Sequence, residues 1–117
     1  ICPMSLARRQ KGIAGEQIAA CFLASLGYEI LHRNIRLGRN EIDLICRDGD
    51  CLVFVEVKHA RSGAFGHPAT WVTDRKKDRL RQAAARFLDE FPVSRLDLRF
   101  DVVTINRGLV EHYPNAF

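Results

Sequence analysis

Apolar residues recur along this chain in two rhythms. Over residues 6–26, LARRQKGIAGEQIAACFLASL, the positions Ile13, Ala14, Ile18, Phe22, Leu23 and Leu26 return at helical spacing. They predict an amphipathic helix that Gly27 stops. A second helix is predicted over 74–90, with Leu80, Ala83, Ala84, Phe87, Leu88 and then Phe91 at core spacing. Thr73 supplies its N-cap and Pro92 its stop. Elsewhere the rhythm shortens to period two, that of half-buried strands. YEILHRNIRL (28–37) reads as a strand with Tyr28, Ile30 and His32 on one face. NEIDLICRDGDCLVFVEVKH (40–59) reads as two strands around a turn, and RSGAFGHPATWV (61–72) as a loop. LDLRFDVVTI (96–105) and LVEHY (109–113) are strands flanking a turn at Asn106-Arg107-Gly108. The order is helix, three strands, helix, two strands, which predicts an α/β fold with helices packed on a central mixed sheet.

The 40–59 hairpin carries an anomaly. VFVEVKH begins as a buried strand and then places Glu56 and Lys58 on the face opened by Phe54. With Asp48-Gly49 as the turn tip, Cys46 meets Cys51, Asp43 meets Phe54 and Glu41 meets Glu56; a tip at Gly49-Asp50 keeps the same parity. Cross-strand partners share a face, so Glu41, Asp43, Glu56 and Lys58 are expected on one side. Ile42, Leu44, Val53, Val55 and Val57 are expected on the other. Glu16, whose helical neighbours are Gly12, Ile13, Ala19 and Ala20, is expected beside the apolar stripe of the first helix.

Carboxylates held about 5–8 Å apart on a half-buried face need a positive partner. Lys58 is one candidate and a divalent metal the other, since Mg²⁺ favours one or two carboxylates together with water and phosphate oxygens. The corresponding chemistry is phosphodiester cleavage. Asp43, Glu56 and Glu41 are the candidate metal ligands, Lys58 the group that orients water or offsets charge on the phosphate, and Glu16 an outer contributor. The competing reading is a salt-bridged sheet face with no catalytic role.

Composition narrows the alternatives. The 117 residues suffice for one domain with a real core, and 47% hydrophobic against 27% charged residues is a globular balance. Residues 1–5 are expected to be flexible. The opening ICPMSLARRQ lacks the apolar core of a secretion signal, so a cytoplasmic location is expected, and no run is long enough for a membrane span. The four cysteines form no CxxC pair, which argues against structural zinc and thiol redox chemistry. The formal charge of +4 tilts toward an acidic partner. Arg75, Lys76, Lys77 and Arg79, with Arg81 and Arg86, crowd the second helix. With Arg61 in the preceding loop, the first four are the candidate nucleic-acid contacts. Trp71 and Phe65 could stack on bases, although loop aromatics more often anchor the loop. His59 adjoins Lys58 and therefore points to the opposite side of its strand.

GEQIAACFLASLGYEILHRNIR, EIDLI, VFVEVKHARS, FGHPATWVTDRKKDRLRQAAARFL, RFDVV and the ending EHYPNAF resemble the YraN family of small bacterial proteins, in order and over nearly the whole chain. That family is similar to archaeal Holliday junction resolvases and to the wider restriction-endonuclease-like superfamily. Its pattern, an acid followed by (D/E)-x-K on the next strand, matches Asp43 and Glu56-Val57-Lys58; its first-helix glutamate matches Glu16. The resemblance implies a restriction-endonuclease-like αβββαβ core, Mg²⁺ or Mn²⁺, and a DNA substrate, branched or otherwise structured, in recombination or repair. By the same analogy a homodimer is expected. Asn40 stands where the family's GEIDL has Gly, and Asn tolerates positive φ, so the strand entry is expected to be kept. The alternative on the same fold is a non-catalytic module that binds nucleic acid or protein.

Overall fold

The computed structural model describes residues 11–59, 72–91 and 96–117. Its elements are α1 (Lys11–Ser25), β1 (Glu29–Leu37), β2 (Asn40–Asp48), β3 (Cys51–His59), α2 (Asp74–Glu90), β4 (Asp97–Asn106) and β5 (Leu109–Tyr113). The strands form one mixed sheet in the order β1-β2-β3-β4-β5, antiparallel except for the parallel β3–β4 pair. Parallel neighbours need a long crossover, and here it carries α2. The α/β architecture is consistent with a restriction-endonuclease-like core. No helix among the described residues is long and apolar enough to cross a membrane.

The two helices cover opposite faces. On one, Leu80, Ala83, Ala84 and Phe87 of α2 pack on Leu37, Ile42, Ile45, Leu52, Phe54 and Val102. On the other, Ala19, Ala20 and Leu23 of α1 pack on Leu44, Cys46, Val53, Val55 and Val103. Because β3 is covered on both faces, Leu52 through Glu56 are all buried, which explains its nearly continuous apolar sequence. The α2 boundaries match the spacing argument, and Thr73 caps the helix by accepting the Lys76 N–H at 3.2 Å. Of the predicted α1 stripe, the side chains of Ile13 and Ala14 are not among those described. Ala19, Ala20 and Leu23 are buried, Ile18 and Phe22 partly so, and Leu26 is 54% exposed at the helix end.

Three expectations are corrected by local backbone geometry. First, the β2–β3 ladder runs from Asp48↔Cys51 to Leu44↔Val55, with Gly49-Asp50 as the tip and Gly49 at φ 58°. Glycine at the first loop position suits a two-residue hairpin turn. Cys46 therefore faces Val53 rather than Cys51, and both cysteines are free.

Second, strict alternation fails in β1 and β2. Ile30 and His32 pair with consecutive residues, Cys46 and Ile45, leaving Leu31 as the extra residue of a bulge. Tyr28 and Ile30 consequently pack on the α1 side, whereas His32 packs against Phe87 of α2 and Phe91 at its C-cap. Asn34 then adopts φ 50°, and across from it Ile42 and Ile45 share the α2 core although three residues apart. Ile42 thus leaves the face shared by Leu44 and the valines of β3.

Third, the strand entry is kept as expected, with β2 beginning at Asn40, but not through a positive φ at that residue. The β1–β2 turn is made by Gly38, at φ 66°, and Asn40 simply pairs with Leu37.

Candidate metal and phosphate site

The acidic residues gather where β2 and β3 stop pairing. Beyond Leu44↔Val55 no further backbone pair forms. The Asp43 side chain substitutes for the ladder, its Oδ2 accepting the Val57 N–H at 2.8 Å. This fixes the Asp43 carboxylate between two groups. One is Glu16 from α1 together with Glu41, and one carboxylate oxygen each of Glu16, Glu41 and Asp43 lie within 4.8 Å of one another. The other is Glu56 of β3, near enough for Asp43 to raise its carboxyl. The expected single charged face is therefore a junction of two faces with Asp43 at its centre.

The electrostatics follow from crowding and burial. Burial foremost pushes the Glu16 carboxyl up to about 7, with Asp43 and Glu41 adding to the rise and a hydrogen bond to Asn34 opposing it. Glu56 is pushed up to about 8, again by burial first, then by Asp43; Lys76 works the other way. Lys76 Nζ lies 3.4 Å from Glu56 Oε2. Glu16 Oε2 is buried and has no hydrogen-bond partner among the described residues. An acceptor removed from water without a donor is costly, and a cation with oxygen-favouring chemistry would relieve that cost.

Of the residues singled out from the sequence, Glu16, Glu41, Asp43 and Glu56 come together. Lys58 is exposed and shares a groove of about 350 Å³ with Glu56, Thr73, Arg75, Lys76 and Arg79. A second groove, of about 170 Å³, is lined by Arg39, Asn40, Glu41, Lys76, Arg79 and Leu80. Lys77 is not part of either lining; it lies 3.9 Å from Asp74 and over the Phe117 ring. Arg61, Phe65 and Trp71 lie outside the described residues.

The pattern of charges and apolar positions did not single out Asn34 or Arg39, and it set His59 aside as lying on the far side of its strand from Lys58. Asn34 reaches Glu16 from the positive-φ position in β1, and a lone Asn inside a strand pattern is the signal that could have marked it. Arg39 follows Gly38 in the turn that borders the second groove. His59 lies against Gly15 of α1, one residue before Glu16. It is on the opposite side from Lys58, as its place in the strand required.

The model of the uncharacterised protein family UPF0102 matches residues 15–105. The chain belongs to that family. A UPF0102 protein of Chloroherpeton thalassium is 46% identical over 106 residues, covering 91% of this chain and 81% of the relative. A UPF0102 protein of Syntrophomonas wolfei is 42% identical over 113 residues, 93% of this chain and 98% of the relative. One of Anaeromyxobacter dehalogenans is 44% identical over 114 residues, 94% and 85% respectively. UPF0102 is the YraN family that the motifs resemble. The matched span of this UPF0102 chain includes Glu16, the acidic junction, Lys58 and all of α2.

Proposed function

We propose that this chain is a metal-dependent DNA endonuclease that hydrolyses phosphodiester bonds. The observation that carries the reading is the meeting of one carboxylate oxygen each from Glu16, Glu41 and Asp43 within 4.8 Å, with one buried Glu16 oxygen lacking a donor among the described residues. These oxygens suit a hard divalent cation. Asp43, Glu41 and Glu16 would hold Mg²⁺ or Mn²⁺, with Glu56 as the further ligand on β3. Bound there, the cation would polarise a phosphate oxygen and lower the pKa of water. Asp43 is oriented for this work by the Val57 N–H. Lys58 at the edge of the adjoining groove offers an ammonium to a phosphate or an attacking water. Arg75, Lys76 and Arg79 give the same groove the positive charge that a phosphodiester backbone requires.

The family resemblance points to branched or otherwise structured DNA, used in recombination or repair. The test is cleavage of junction, flap and single-stranded DNA with Mg²⁺ or Mn²⁺, comparing wild type with Asp43→Ala and Lys58→Ala. Metal-dependent cleavage should fall at least about a hundredfold in each variant. Cleavage that survives both substitutions refutes the site.

A second reading draws on the Lys76–Glu56 ion pair, which already gives Glu56 a counter-charge. On that reading the chain is a non-catalytic module that binds nucleic acid or protein. It calls for salt-sensitive binding with no turnover under any divalent cation.

A further inference from the structure

Lys76 occupies an unusual position. It is the third residue of α2, in the helix's first turn, with its backbone N–H held by the Thr73 hydroxyl. Its ammonium lies 3.4 Å from Glu56 Oε2. The two ends of this ion pair differ sharply in setting: the Glu56 side chain is 10% exposed and that of Lys76 is 45% exposed. Glu56 is fixed in the fully covered strand β3, whereas Lys76 stands on a flexible stem between both grooves and lines each of them. Arg79 lines both grooves as well but makes no ion pair with Glu56 among the described residues.

We propose that Lys76 is an exchangeable counter-ion of Glu56, which must release that carboxylate to a divalent cation and then turns to a phosphate group in one of the adjoining grooves. The inference rests on the metal-dependent reading above and adds a residue that couples the two ligands. The physical argument is competition. An ammonium and a divalent cation cannot both take the same carboxylate oxygen, so each bound Lys76 lowers the population able to receive the metal. Once displaced, the ammonium needs a new anion, and both grooves open beside it. Metal binding and phosphate binding are thereby linked, and linkage is reciprocal: each ligand tightens the other. Arg79 supplies charge to the same grooves without an ion pair to Glu56 among the described residues, so it separates exchange from a general loss of positive field.

The test is calorimetric titration of Mn²⁺ into wild type, Lys76→Met, Arg79→Met and Asp43→Asn, without nucleic acid. In titrations above about pH 8, where Glu56 has given up its proton, Lys76→Met should tighten Mn²⁺ binding by roughly two- to fivefold, the size expected for removing a half-exposed ion-pair partner. Arg79→Met should change it by less than about twofold, since the guanidinium makes no such pair. A second titration, with a single-stranded oligodeoxynucleotide and Ca²⁺ in place of Mn²⁺, should show weaker binding to Lys76→Met. The gain in oligonucleotide affinity on adding Ca²⁺ should also be smaller than in wild type. Unchanged or weaker Mn²⁺ binding in Lys76→Met, or equal tightening by Arg79→Met, overturns the exchange while leaving the metal site intact. Loss of all Mn²⁺ binding, or binding indifferent to Asp43→Asn, overturns the metal-dependent reading and the exchange with it.

Discussion

Gly15 is buried in α1, and a Cβ built there would overlap Nε2 of His59 and lie 2.9 Å from its Cε1. The imidazole therefore uses the space that any side chain at this position would fill, one residue before Glu16. Alanine is favoured over glycine by about 1 kcal/mol in a helix interior. In wild type that gain is offset by displacing the exposed ring, so Gly15→Ala should leave stability within about 0.5 kcal/mol of the parent. With His59→Ala already present, the same substitution should stabilise by about 0.5–1 kcal/mol. Urea denaturation of the four proteins in this cycle measures the difference; equal effects in both backgrounds would show that the ring and Gly15 do not compete. The ring's position also bears on Glu16, because whatever holds the start of α1 against the end of β3 sets where that carboxylate arrives.

Between elements, a fully buried Asp101 joins β4 to β5 and to the chain's last residues. Its Oδ1 accepts from Arg99 Nε and from the Asn115 N–H, each at 2.9 Å, and its Oδ2 lies 2.7 Å from His112 Nε2. Asp101→Asn keeps the shape but removes the charge that Arg99 and His112 face. A broken buried pair costs about 3–5 kcal/mol, so equilibrium unfolding should show a loss near the lower figure; under about 1 kcal/mol would mean the network carries little. Nothing in the period of the apolar residues announces such a node, because its members are scattered from Asp48 and Tyr28 to Asn115. Helices and strands were legible for the opposite reason. Thr73, the 74–90 stripe and the Asp48–Cys51 turn are local signals, and the elements begin and end close to where those signals stand. The site was legible as a set of residues but not as a face. Two local departures, the Leu31 bulge and the left-handed Asn34, rotate side chains without altering the pattern that strict alternation relies on. The meeting of Lys76 with Glu56 depends on how the crossover lays α2 over the sheet, which spacing along α2 does not encode.

Across the whole molecule, carboxyl groups pull the pH dependence of stability in two directions. Glu16 and Glu56 hold protons up to about 7 and about 8 in the folded chain, against an ordinary 4.5, with burial the leading cause. Their contribution is complete below about pH 4.5 and is lost as pH rises through those values. Asp101 behaves oppositely. Burial alone would raise it, but hydrogen bonds from His112, Arg99 and the Asn115 N–H outweigh that and hold it below its ordinary 3.8. Its contribution is present above about pH 4 and is lost on further acidification. Without metal, thermal melts should therefore be most stable near about pH 5 and decline toward about pH 8. Mn²⁺ should flatten the neutral limb by replacing protons in the cluster, and Glu16→Gln should remove part of it. A midpoint constant from about pH 5 to 8 without metal would contradict these assignments. The bulge in β1 has a separate consequence at this scale. β1 is an edge of the sheet, and along it Leu31 is unpaired within the bulge, Asn34 is left-handed, and Glu29, Arg33 and Arg36 are exposed. Such an edge is kinked and charged, a poor template for another strand. Two copies of this chain would not readily zip into one continuous sheet through β1, and that edge is guarded against fibrous stacking at high concentration.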